Sequence, residues 1–90
     1  MNVDAIVKVD TTISWCFIDG SAYLINEKDG SIMKLENTAA KIWSYLAVEG
    51  NVDRAAILTA KEYNVDSEIV KADVYRFVTS MKERGYLVCA

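Results

Sequence analysis

Residues 31–46, SIMKLENTAAKIWSYL, constrain this chain more than any other stretch, because the apolar period changes within them from that of a strand to that of a helix. After the short alternating run, Ala39, Ile42, Trp43 and Leu46 recur at i, i+3, i+4 and i+7, the spacing that lines one helical face. The junction Glu36-Asn37-Thr38 is polar and short, so the strand must lie close against the helix it feeds. Asn37 carries the side-chain oxygen that caps a helix's first free amides. The chain before this stretch is expected to be sheet that pairs with the strand, and the chain after it helix that packs on the helix.

Upstream, Ile13, Trp15 and Phe17 fall on one face of an extended strand, with Ser14 and Cys16 on the other. Asp19-Gly20 supplies the positive φ angles of a two-residue hairpin turn, so residues 21–26 should run back antiparallel. A second turn at Glu27-Lys28-Asp29-Gly30 leads into residues 31–35. The expected product is a three-stranded meander with residues 21–26 in the middle. Its last strand then has a neighbour on one side only, and a row of amides and carbonyls is left unpaired along a short edge that carries Lys34. Residues 1–11 alternate loosely through Val3, Ile6, Val7 and Val9, which fits either a loosely held edge strand or an arm exchanged with a neighbouring copy.

Downstream, the first helix should end near Glu49-Gly50, where glycine takes the left-handed conformation that stops a helix, and Asn51 should cap the next one. Val52, Ala55, Ala56, Ala60 and Tyr63 form the apolar stripe of the second helix, with Ile57 and Leu58 outside it. Asn64 and Asp66 flank a turn, and a third helix is expected over residues 67–84 with Gly85 closing it. Its face of Val70, Val74, Phe77 and Met81 is the longest regular stripe in the chain, and Lys82 and Arg84 near its end suit the helix dipole. The apolar tail Tyr86-Leu87-Val88 should fold back onto the body. Three strands followed by three helices read as one α+β domain over residues 1–90, of winged helix-turn-helix type.

Composition narrows the function. At 52% hydrophobic residues over 90 positions the chain can bury a core, which excludes wholesale disorder. A net charge of −3 with no cluster of Lys or Arg gives no footprint for a phosphate backbone, so nucleic acid is not an expected partner. No apolar run reaches the roughly 18 residues of a membrane helix, and the N-terminus lacks the layout of a signal peptide, so a cytoplasmic protein away from membranes is expected. There is no histidine, hence neither the usual base for a nucleophile nor the usual metal ligand. Cys16 and Cys89 lack CxxC spacing and read as reduced thiols. The carboxylate pairs Asp66 with Glu68 and Glu27 with Asp29 sit in turns and at a helix start, where capping and solvation explain them. No catalytic residue, metal site or cofactor is therefore expected. What remains is an open strand edge beside an amphipathic helix, the parts needed to bind a peptide by strand addition. Two rival readings share the architecture: a winged-helix DNA-binding domain, and a structural subunit that dimerises through the same edge.

The run LENTAAKIW at residues 35–43, the Asn51-Val52 helix start, Glu62-Tyr63-Asn64-Val65, Ala72-Asp73-Val74 through Phe77, and the closing Gly85-Tyr86-Leu87 resemble the PqqD-like family in order and spacing over about residues 12–88. The resemblance implies a non-catalytic recognition element that holds the leader segment of a ribosomally made precursor peptide and presents it to a modifying enzyme, a radical S-adenosylmethionine enzyme or a leader protease. It further implies that the leader pairs as an added strand with Ile32, Met33, Lys34 and Leu35, over a groove walled by Val70, Asp73, Val74, Arg76 and Phe77. The sequence leaves both a monomer and a homodimer open. The Ile42-Trp43 pair is closer to the broad group found in lasso-peptide and thioether-peptide pathways than to proteins of pyrroloquinoline quinone synthesis. Two departures stand out. Glu36 takes the place where the family usually has Asn, with Asn37 one position later, and Thr59 stands where an aliphatic residue is common.

Overall fold

A computed structural model describes residues 6–90. The elements are β1 (Val7–Val9), β2 (Ile13–Ile18), β3 (Ser21–Asn26), β4 (Ile32–Leu35), α1 (Asn37–Glu49), α2 (Val52–Tyr63), α3 (Ser67–Glu83) and β5 (Leu87–Cys89). β2, β3 and β4 form the antiparallel meander, with β3 central. Asp19 and Gly20 take φ of 52° and 81°, the paired positive angles that let a two-residue turn follow the twist of its strands. Register places Trp15 opposite Leu24 and Leu24 opposite Met33. One face of the meander therefore carries Ile13, Trp15, Phe17, Ala22, Leu24, Met33 and Leu35, and packs on the helices.

Between sheet and helices the largest fully buried side chains are Trp43, Leu24, Leu46, Leu87, Val52, Val74 and Thr59. Trp15 meets Trp43 edge to face, with ring centroids 6.1 Å apart. The indole N–H of Trp43 is buried without a hydrogen-bond partner. An orphaned donor costs about 1–3 kcal/mol. Burying roughly 150–250 Å² of Trp at about 25 cal/mol per Å² returns about 4–6 kcal/mol, so the ring stays inside.

Three local expectations need correction. Asn37 does not cap α1. Glu36 occupies the cap position without a side-chain cap bond, and Asn37 is the first helical residue at a left-handed φ of 55°. The chain leaves β4 so abruptly that one residue must absorb the reversal, and Asn tolerates that conformation better than a residue with a bulkier Cβ environment. In α2, Thr59 takes the buried place assigned to Tyr63, its hydroxyl donating to the Ala55 carbonyl at 2.8 Å, while Tyr63 is 42% exposed. In α3, Val78 joins Val70, Val74 and Met81 in the core, and Phe77 is half-buried. By contrast Asn51 accepts from the Arg54 amide at 2.9 Å, the cap expected of it.

The tail does fold back, and it does so as a strand. β5 pairs antiparallel with β1, a second, two-stranded sheet, with Val7 opposite Cys89 and Val9 opposite Leu87. Of the two expectations for the opening segment, Val7–Val9 thus forms a strand, held by the tail of the same chain and not by the meander; residues 1–5 lie outside the described residues. Gly50 anchors β1. It ends α1 at φ 75°, its carbonyl accepts from the Val7 amide at 2.8 Å, and a Cβ there would sit 3.2 Å from the Val7 carbonyl oxygen.

Candidate functional site

β4 pairs with β3 alone among the described residues. The Asn26 amide donates to the Ser31 carbonyl at 2.9 Å, which fixes the alternation of the ladder. Leu24 with Met33 and Ala22 with Leu35 are then the hydrogen-bonded pairs, and Ile32 and Lys34 occupy the non-bonded positions. Their amides and carbonyls point away from β3. The open edge thus presents two donors and two acceptors spaced as an extended chain would present its own.

Side chains alternate against that pattern. Met33 and Leu35 turn inward and pack half-buried on the core, while Ile32, 66% exposed, and Lys34 stand on the outer face of the sheet. Lys34 contacts the Glu36 carboxylate at 2.9 Å and lies 5.8 Å from the centre of the Tyr23 ring. The hydrogen bond and charge of Glu36 hold the ammonium's pKa above its ordinary value. Because the edge's one cation is compensated in this way, β4 repels neither acidic nor basic chains strongly.

Beyond the end of β4 an open cleft of about 460 Å³ is lined by Thr38, Thr59, Tyr63, Val65, Ile69, Val70 and Asp73. Thr38 belongs to the first turn of α1, so the cleft begins where β4 hands over to the helix. Asn64 ends α2 at φ 55°, and the Val65 amide returns to the Ala60 carbonyl at 3.0 Å, which turns Val65 across the mouth of the cleft. Tyr63, Val65 and Ile69 are 42%, 50% and 66% exposed, so three large apolar side chains face water around one opening.

The residues expected at the helical wall divide into three sets. Val70 and Asp73 line the cleft. Val74 is fully buried and supports the wall from behind, and Phe77 is half-buried against the same core that Met33 and Leu35 border. Arg76 pairs with Asp73 one turn earlier, on the exposed face of α3. Sequence reasoning passed over Thr38, Val65 and Ile69 and assigned Tyr63 to the core. Val65, an apolar residue inside a polar turn, was the usable signal, as was Ile69, one step off the stripe of α3. Among the described residues no group of three or more His, Cys, Asp or Glu is placed to hold a metal, and no helix is long and apolar enough to cross a membrane.

A meander with its last strand open, backed by three helices and an apolar cleft at the strand's end, is a winged-helix α+β module with a vacant edge. Its family follows from comparison: the chain belongs to the PqqD family, whose model, described as coenzyme PQQ synthesis protein D, matches residues 22–87. That match starts within β3, ten residues later than the resemblance drawn from the sequence. Two solved structures share the fold. A lasso peptide synthetase B1 complexed with its leader peptide is 27% identical with a TM-score of 0.79, covering 93% of this chain and 99% of that one. TbiB1 in complex with the TbiA(beta) leader peptide is 22% identical with a TM-score of 0.81, covering 89% and 93%. No curated protein matches the sequence.

Proposed function

We propose that this chain, acting as one domain, is a non-catalytic adaptor that binds the leader segment of a ribosomally made precursor peptide by strand addition to β4 and presents it to a modifying enzyme. The outward amides and carbonyls of Ile32 and Lys34 carry this reading, because they form a ladder with no partner among the described residues. An added antiparallel strand satisfies them, and its alternate side chains fall on the inner side toward Met33, Leu35 and Phe77. Residues of the peptide beyond the paired segment meet the cleft at Val65, Ile69 and Val70, with Asp73 and Arg76 at its rim. Membership of the PqqD family and the leader-bound state of both structural neighbours support the same reading. The partner enzyme is a radical S-adenosylmethionine enzyme or a leader protease, and neither a cofactor nor nucleic acid enters the account.

Proline separates a docking edge from a structural strand. At Lys34 it removes an amide that points outward and leaves the ladder to β3 intact; at Met33 it removes a ladder bond. Calorimetric titration with a synthetic precursor leader peptide should show Lys34→Pro weakening binding at least tenfold, about 1.4 kcal/mol, with the fold retained. Full affinity in a folded Lys34→Pro protein would remove β4 as the site.

A further inference from the structure

The meander has a second edge. On β2 the Glu27 amide donates to the Thr12 carbonyl at 2.8 Å, which makes Ser14 with Ile25 and Cys16 with Tyr23 the hydrogen-bonded pairs. The amides and carbonyls of Trp15 and Phe17 therefore point outward, and β2 pairs with no strand but β3 among the described residues. This edge is unlike that of β4. From Thr12 to Ile18 it carries no charge, no proline and no bulge, the devices that keep strand edges apart. It lies outside residues 22–87, the span the family model matches.

We propose that β2 is a self-association edge, on which the occupant is a second copy of this chain, paired antiparallel about a twofold axis through Cys16. The register is self-complementary. Centred there, the Trp15 amide donates to the carbonyl of the partner's Phe17, the Phe17 amide donates to the carbonyl of the partner's Trp15, and symmetry doubles both. The strip from Thr12 to Ile18 meets itself without charge, whereas β4 pairing with itself would bring two Lys34–Glu36 ion pairs onto one edge. On the inner face, Phe17, 40% exposed and with the Lys41 ammonium 5.7 Å from its ring, gains the partner's Trp15 as cross-strand neighbour. On the outer face, exposed Ile18 stands opposite the partner's Ser14. Six strands become one sheet with a free β4 at each end, so that leader binding and self-association use opposite edges. The contact is small for a permanent dimer and belongs to the weak, concentration-dependent class.

The exposed thiol of Cys16 reports the register, since facing non-bonded residues have Cα atoms about 4.5 Å apart, within the span of a disulfide. The test uses the full chain. Sedimentation velocity should show a monomer–dimer equilibrium that Phe17→Lys shifts to at least about tenfold higher concentration and Lys34→Pro leaves unchanged. With diamide as oxidant, which takes two electrons and two protons from a pair of thiols, Cys89→Ser should give a covalent dimer and Cys16→Ser should not. A chain that stays monomeric up to millimolar concentration overturns the proposal, as does a dimer lost in Lys34→Pro instead of Phe17→Lys or crosslinked through Cys89. A dimer lost in Lys34→Pro would put self-association on β4, and the calorimetric titration of that variant with leader peptide tests the leader site separately, so the two failures are distinguishable.

Discussion

At the scale of the residue, three polar side chains show local strain and acid sensitivity: Asn37 the first, Asp10 and Asp29 the second. Asn37 sits at φ 55° at the point where β4 becomes α1, and a β-branched residue there would pay the full steric cost of the left-handed region. Asn37→Val should lower stability by about 1–2 kcal/mol and Asn37→Gly should leave it equal or higher, read from urea unfolding midpoints. The sequence named Asn37 as special but assigned it the wrong task, because a cap residue and a left-handed residue draw on the same amino acids. Asp10 accepts from the Thr12 hydroxyl and from the Thr12 amide, and Asp29 accepts from the Ser31 amide at 2.9 Å. Those bonds, led by the hydroxyl for Asp10 and by the amide for Asp29, hold both carboxyls below their ordinary value of 3.8. A carboxyl depressed by folding stabilises the fold above its unfolded pKa and loses that contribution as pH falls through the folded one. The unfolding midpoint should therefore drop as pH is taken below about 3.8, and the double variant Asp10→Asn, Asp29→Asn should show a shallower drop over that window.

Elements show where periodicity informs and where it fails. The meander and the three helices were legible because each has several residues in register with one period, and Asp19-Gly20, Gly50 and Asn51 mark their ends. β1 and β5 were not legible as a pair. Each is three residues long, too short to display a period, and their partnership spans almost the whole chain. The energetics of that pair are nonetheless large. Leu87 is 1% exposed and Tyr86 7%, and the Asp10 amide reaches the Tyr86 carbonyl at 3.0 Å, so the tail closes the core beneath α3. Leu87→Ala should cost about 2–5 kcal/mol by urea unfolding, as for a core leucine, whereas Cys89→Ala on the exposed end should change little. The stripe of α2 misled in one place, since Thr59 satisfies its hydroxyl on the Ala55 carbonyl and can be buried like an aliphatic side chain. That exchange frees Tyr63 to stand at the cleft.

For the molecule as a whole, function rests on what the fold leaves open. The sequence indicated a vacant β4 edge because a meander ends on a strand with one neighbour, and it indicated a helical wall because α3 has a long stripe. It did not indicate the cleft, which gathers Thr38, Tyr63, Val65, Ile69 and Asp73 from three helices and a turn that no single period connects. In the proposed function an extended peptide completes the sheet at β4. The most direct measurement is residue-resolved amide hydrogen exchange of the full chain with and without the leader peptide. Strand addition predicts that the amides of Ile32 and Lys34, exchanging fast in the free protein, become protected on binding, while Met33 and Leu35, already bonded to β3, change little. Unchanged exchange at Ile32 and Lys34 in the saturated complex, with new protection elsewhere, would contradict the account.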